Sequence, residues 1–286
     1  NWPRLTMKPS QTLVAGLLSA LLLLTFLLSW HLATMPKAAD QVVSDEYALL
    51  VGGAAAKGQE SAFPTPAQFG DKLVEAISDP FYDNGPNDKG IGIQLGYSIW
   101  RVLVGFAAAV IVAIPLGFMI GMSPLMTKAL DPFIQVLKPI SPLAWMPLAL
   151  FTLKDSNVSA VFVIFICSIW PMLLNTTLGV SSVRKDWLDV AKTLELNPFR
   201  KAIFVILPAA GPTIMTGIRI SIGIAWLVIV AAEMLVGGTG IGYFVWNEWN
   251  NLSISNILVA VLAIGIVGMI LDSLVARVQK HITYKD

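Results

Sequence analysis

Cysteine and histidine are almost missing from this chain of 286 residues: Cys167 stands alone, and His31 and His281 are the histidines. An internal disulfide is excluded, and a metal cluster or a nucleophile paired with an imidazole base has too few residues to draw on. Charge is scarce too, at 13% of residues with a net charge of +1, which leaves no basic face for nucleic acid. No G-x-x-x-x-G-K-[ST] loop occurs, so the chain lacks a phosphate cradle for hydrolysing ATP itself. The run Gly237-Gly238-Thr239-Gly240-Ile241-Gly242 misses the dinucleotide fingerprint and reads as a turn.

What the chain has in excess is apolar surface. Hydrophobic residues make up 56% of it and the mean hydropathy is +0.72, values that fit an all-α polytopic membrane protein. Runs long enough to cross roughly 30 Å of hydrocarbon, about 20 residues each, predict six transmembrane helices near 13–32, 97–121, 130–152, 157–180, 209–236 and 254–276. The first, Leu-rich and behind Arg4 and Lys8, imitates a signal peptide, but no small-residue cleavage site follows, so it reads as a retained span. The third contains Pro132, Pro139, Pro142 and Pro147, which kink or break a helix and point to the pathway where a cavity satisfies the freed backbone.

Cations set the orientation. Arg4, Lys8, Lys128, Arg184, Lys185, Lys192, Arg200, Lys201, Arg277, Lys280 and Lys285 all fall on one side, which places both termini in the cytoplasm. The chain then divides into an N-terminal segment with the first span (1–32), an extracytoplasmic insertion (33–96) and a core of five helices (97–286). Stretch 33–90 is acidic, and Phe69, Leu73 and Ile77 predict a short amphipathic helix at 66–78. It reads either as a docking surface for a solute-delivering protein or as a cap on the bundle.

Residues 184–208 are a polar interruption between two apolar runs and carry Arg184, Lys185, Lys192, Arg200 and Lys201. Trp187, Leu188, Ala191 and Leu194 form an apolar stripe at helical spacing. Asn197 and Pro198 make an N-cap and first-turn pair for a second short helix, after which Pro208 opens the fifth span. Such an element fits a groove in a soluble partner, or lies flat on anionic lipid.

The segment also resembles the cytoplasmic motif of permease subunits of bacterial ATP-binding-cassette importers: Glu-Ala-Ala, three residues, Gly, nine residues, Ile, one residue, Leu-Pro. Here Asp189-Val190-Ala191, Glu195, Val205 and Leu207-Pro208 keep the spacing while four of the motif residues are replaced. Pro142-Leu143-Ala144-Trp145-Met146-Pro147, Gly217-Ile218-Arg219, Ala225-Trp226, Glu233-Met234, Gly240-Ile241-Gly242 and Asp272 are similar to the branch that imports nitrate, sulfonates and taurine, over about 98–277. The insertion at 33–90 looks like that of cyanobacterial nitrate or bicarbonate permeases.

The resemblance implies the type I importer fold and a multi-pass subunit of the bacterial inner membrane. It further implies a homodimer, with two cytoplasmic ATPases binding ATP and Mg and an extracytoplasmic binding protein or lipoprotein delivering solute. Trp187, Asp189, Ala191, Leu194, Glu195, Asn197, Pro198, Arg200, Leu207 and Pro208 would then couple to the ATPase. Nitrate is the expected anion, with bicarbonate or an alkanesulfonate such as taurine as alternatives. A secondary transporter is the further alternative, though no midplane carboxylates or inverted repeat support it.

Arg219, about ten residues into the fifth span, is a candidate pathway cation, or a partner for Asp272 or Glu233. Asn175, Thr176 and Ser141 are neutral donors for the pathway or ties between helices, and Trp145 and Trp226 shape a constriction or fill core. Gly117 and Gly121 read as helix packing.

Overall fold

A computed structural model describes residues 9–35 and 63–282. The expectations resting on Arg4, Lys8, Lys285 and most of 33–62 therefore lie outside the described residues. Among those described the elements are helices: α1 (Pro9–Ala33), α2 (Pro66–Ser78), α3 (Ile91–Met122), α4 (Pro124–Leu137), α5 (Pro142–Leu153), α6 (Ser156–Ser181), α7 (Lys185–Thr193), α8 (Pro198–Lys201), α9 (Leu207–Val236), α10 (Ile241–Asn250) and α11 (Ile254–Ile282). Five helical stretches are long and apolar enough to cross a bilayer, and α4 with α5 makes a sixth crossing if the bent pair counts as one. The expected all-α membrane protein is what is found.

Two expected boundaries are corrected. The third span is not one helix: α4 and α5 meet at 91°, and Ser141, the residue before Pro142, stands at φ −59° and ψ 136°, out of the helical region as a residue before proline is pushed to be. Pro208 stands in the first turn of α9, as expected, but the span does not begin there. The stretch Pro198–Val236 runs as one span of 39 residues, with a π-turn at Ala202–Ile206 in which the Leu207 N–H donates to the Ala202 carbonyl. Pro208 lacks an N–H for the carbonyl four residues back, and the wider turn lets the ladder change register without a break.

The chain divides into two compact units, one comprising 1–78 with 253–259 and the other 79–252 with 260–286. In the first, Trp30 Nε1–H donates to the Pro64 carbonyl at 3.0 Å and its ring packs on Phe26, Phe63 and Phe69. The predicted amphipathic helix is α2, opened by a capping box in which the Thr65 N–H donates to Gln68 Oε1 and the Gln68 N–H to Thr65 Oγ1.

In the second unit α6 is the central element, packed along both α3 and α9. Close approach is possible because α3 carries a small residue every fourth position: Gly105, Ala109, Ala113, Gly117 and Gly121. Ala109 and Ala113 are fully buried, and a Cβ on Gly117 would stand 2.6 Å from Thr176 Cβ. The glycine pair is thus a packing device. Gly117→Val should overpack this seam and cost about 1–3 kcal/mol, read as a lower midpoint of thermal unfolding in detergent; an unchanged midpoint would show that the seam relaxes freely.

Candidate functional site

The elbow between α6 and α9 is shaped by its caps. At the end of α7 the Leu196 N–H donates to the Ala191 carbonyl at 3.2 Å and the Glu195 N–H to the Lys192 carbonyl at 2.9 Å, the bonding of a Schellman cap. Its pivot is Glu195, at φ 48°, a left-handed conformation that glycine adopts without cost and a side chain does not. Glu195 stands where the importer motif has glycine, so the departure in sequence keeps the backbone shape. Asn197 Oδ1 then accepts from the Arg200 N–H at 2.7 Å, with Pro198 in the first helical position, the capping pair expected from sequence.

The apolar stripe of α7 splits between two faces. Ala191 is buried, and Leu188 packs against a cluster of Val180, Ile206, Ala210 and Ile214, which fastens the elbow to its own bundle. Trp187 and Val190 are exposed, Leu194 is 65% exposed and Phe199 74%. Around them stand Arg200 and Lys201 in the last turn of α8 and the Asp189–Lys192 ion pair at 2.8 Å. The Lys192 ammonium, hydrogen-bonded to it, holds the Asp189 carboxyl below its ordinary value, so the elbow keeps both signs of charge at neutral pH. Apolar anchors in a charged rim are the makings of a docking surface.

The proposed pathway residues do not share one place. Trp145 and Asn175 line a cavity of about 410 Å³ at the break between α4 and α5, together with Lys138, Ile140, Pro142, Cys167, Trp170, Pro171, Leu174 and Ile224. Ser141 sits in sequence between two of these and makes no side-chain capping bond. Thr176 is instead fully buried against Gly117, its hydroxyl without a partner, because it is on the α3-facing side of α6. Trp226 is core, with Nε1–H donating to the Ile264 carbonyl at 2.9 Å.

Arg219 grips Asp272 in a two-bond fork, Nε–Oδ1 and Nη2–Oδ2 both at 2.7 Å, which is the pairing alternative read from sequence. The cavity touches α9 at Ile224, five residues further on and about 140° round the helix from Arg219. Lys138 is not among the residues expected from sequence, although a lysine beside Pro139 within an apolar run is the kind of cation that sequence reasoning flags.

A second polar centre lies at the other end of α9. Glu233, 2% exposed, accepts from Ser98 Oγ at 2.8 Å, from Arg101 Nη1 at 2.6 Å and from the Gly242 N–H at 3.0 Å. Arg101 also donates to the Thr239 carbonyl and to Asn157 Oδ1, while Gln94 Oε1 accepts from the Gly240 N–H at 2.6 Å. This knot ties α3, α6, α9 and the glycine turn together. A Cβ on Gly240 would fall 2.3 Å from the Glu233 carboxyl carbon, so the glycines serve the carboxylate and no nucleotide.

Residues 113–284 match the family described as the binding-protein-dependent transport system inner membrane component. The chain is 46% identical over 244 residues to the nitrate import permease protein NrtB of Synechocystis sp., covering 85% of this chain and 89% of that one. It is 47% identical over 204 residues to the bicarbonate transport system permease protein CmpB of the same organism, covering 71% and 73%. Among solved structures, the inward-facing MetNI methionine ABC transporter superposes with a TM-score of 0.59 at 12% identity over 67% of this chain and 95% of that one, a likeness of fold.

Two substitutions test the geometry. Glu195→Gly should relieve the left-handed residue and raise stability by about 1 kcal/mol, seen as a higher unfolding midpoint; a fall would mean the glutamate side chain does more than tolerate the turn. Glu233→Gln strands the buried Arg101 charge and should cost about 3–5 kcal/mol, measured by thermal unfolding of the purified chain.

Proposed function

The chain belongs to the family of inner membrane components of binding-protein-dependent transport systems, and from that premise we propose that it forms the translocation pathway of an ATP-driven importer of nitrate and nitrite. It works as a homodimer in a bacterial inner membrane, both termini cytoplasmic. Two ATPases, binding ATP and Mg, grip the elbow from inside, and an extracytoplasmic binding protein or lipoprotein delivers the anion. The chain itself is a non-catalytic membrane subunit.

The observation that carries this reading is the elbow: a capped pair of short helices whose apolar residues Trp187, Val190, Leu194 and Phe199 stand exposed within a charged rim. Exposure of that kind on a segment too polar to enter lipid calls for a protein partner. Glu195, Asn197 and Pro198 hold its shape; Asp189 and Arg200 dress the rim; Ala191, Leu207 and Pro208 join it to the bundle. Closure of the ATPases around ATP draws the two elbows of the dimer together, and the cavity turns from inward to outward opening. The different affinity of the ATPases for the two states supplies the work.

Nitrate is supported by the 46% identity to a nitrate import permease. Bicarbonate is the second reading, on the 47% identity to a bicarbonate transport permease over a shorter stretch. The test is reconstitution with a Walker-motif ATPase and the binding protein in liposomes, followed by uptake of labelled nitrate and labelled bicarbonate. ATP-dependent nitrate entry supports the reading, and bicarbonate entry alone transfers the function to that anion. In the same assay Leu194→Ala or Arg200→Ala should lower uptake roughly tenfold or more, as loss of an interface anchor does, while ATP turnover persists and the bundle stays folded. Normal import by both variants would move the coupling surface elsewhere.

A further inference from the structure

The cations within the helices are not equivalent. Arg101 is closed on Glu233 and Arg219 on Asp272. Lys138 has no carboxylate within ion-pair distance and no side-chain hydrogen bond among the described residues, and it lines the cavity at the α4–α5 break.

Three other polar side chains on that wall offer unpaired donors. Trp145 and Trp170 line it, and neither indole N–H has a partner among the described residues; an indole can only donate. Asn175 Nδ2 spends one hydrogen on the Pro171 carbonyl at 2.8 Å and keeps the second. No Asp or Glu is among the lining residues. A cation, two indole N–H groups and an amide N–H around about 410 Å³ of largely apolar wall form a site that suits an acceptor-rich anion and disfavours a cation.

We infer that this cavity binds the transported anion and that Lys138, not Arg219, is its charge partner. The inference rests on the importer reading and sharpens it. An ammonium on a flexible stem is a point charge that binds an oxyanion without fixing its orientation, which suits a small planar solute in transit. The fork of Arg219, already filled edge-on by a carboxylate, has no such vacancy unless Asp272 leaves it.

In the reconstituted complex, Lys138→Ala should raise the KM for labelled nitrate about tenfold or more, the scale of a lost charged hydrogen bond, while Lys138→Arg stays close to the parent. A parental KM in Lys138→Ala overturns the assignment. Should the parent complex import no nitrate, the importer reading itself fails, and the cavity is judged on purified permease carrying Cys167→Ser and Ile140→Cys, the latter on the cavity wall. A negatively charged methanethiosulfonate should then react faster than a positively charged one, and Lys138→Ala should erase the preference. Equal rates in the presence of Lys138 overturn the anion site, and the same measurement decides if Lys138→Ala fails to assemble with the ATPase.

Discussion

Glu233 is where the second unit is held together. A carboxylate taken almost wholly out of water is costly unless hydrogen bonds and an opposite charge replace its hydration, and here Ser98, Arg101 and the Gly242 N–H all converge on it. Two donors come from α3 and one from the turn into α10, so satisfying one side chain on α9 fixes the mutual register of all three. Arg101 extends the constraint to α6 through Asn157. The glycines at 240 and 242 follow from it, since their backbone must approach within contact of Glu233.

The same rule, that a polar group in hydrocarbon needs a partner within the protein, governs the irregular backbone. Pro171 leaves the Cys167 carbonyl without its helical donor, and both residues line the cavity. The Pro208 defect is absorbed by the π-turn at 202–206. The sharp break at 138–141 is the exception that is not absorbed, and it is beside that break that the cavity opens.

Much of this was legible in the amino-acid order because membranes impose strong patterns. The first, second, fourth and sixth spans, the α2 helix, the Asn197-Pro198 cap and the packing role of Gly117 and Gly121 each have a local signal, and each is found where the signal stood. Two things were not legible. The continuity from Pro198 to Val236 depends on a π-turn that has no composition of its own, and Pro208 read naturally as a start. The sorting of polar residues among faces depends on helix rotation: Thr176 turns to α3 and Asn175, its neighbour, to the cavity, a difference of about 100° that hydropathy does not encode. Lys138 has a signal of its own, a cation beside Pro139 in an apolar run, but hydropathy carries the apolar run straight through it.

The elbow and the knot are on one helix, and that has a mechanical consequence. From Pro198 to Val236 the span measures 39 residues, about 58 Å at helical rise, with the exposed Phe199 at one end and Glu233 near the other. A helix of this length is stiff across its turns, so a displacement applied at the elbow cannot be lost in a hinge loop. It must tilt the helix against the knot or be taken up in the π-turn at 202–206, whose ladder is already out of step with the rest. Ser98, Arg101 and the Gly242 N–H hold Glu233 in place, whereas the elbow packs on its bundle through Leu188 and Ala191. The elbow end of α9 is therefore the more weakly held one.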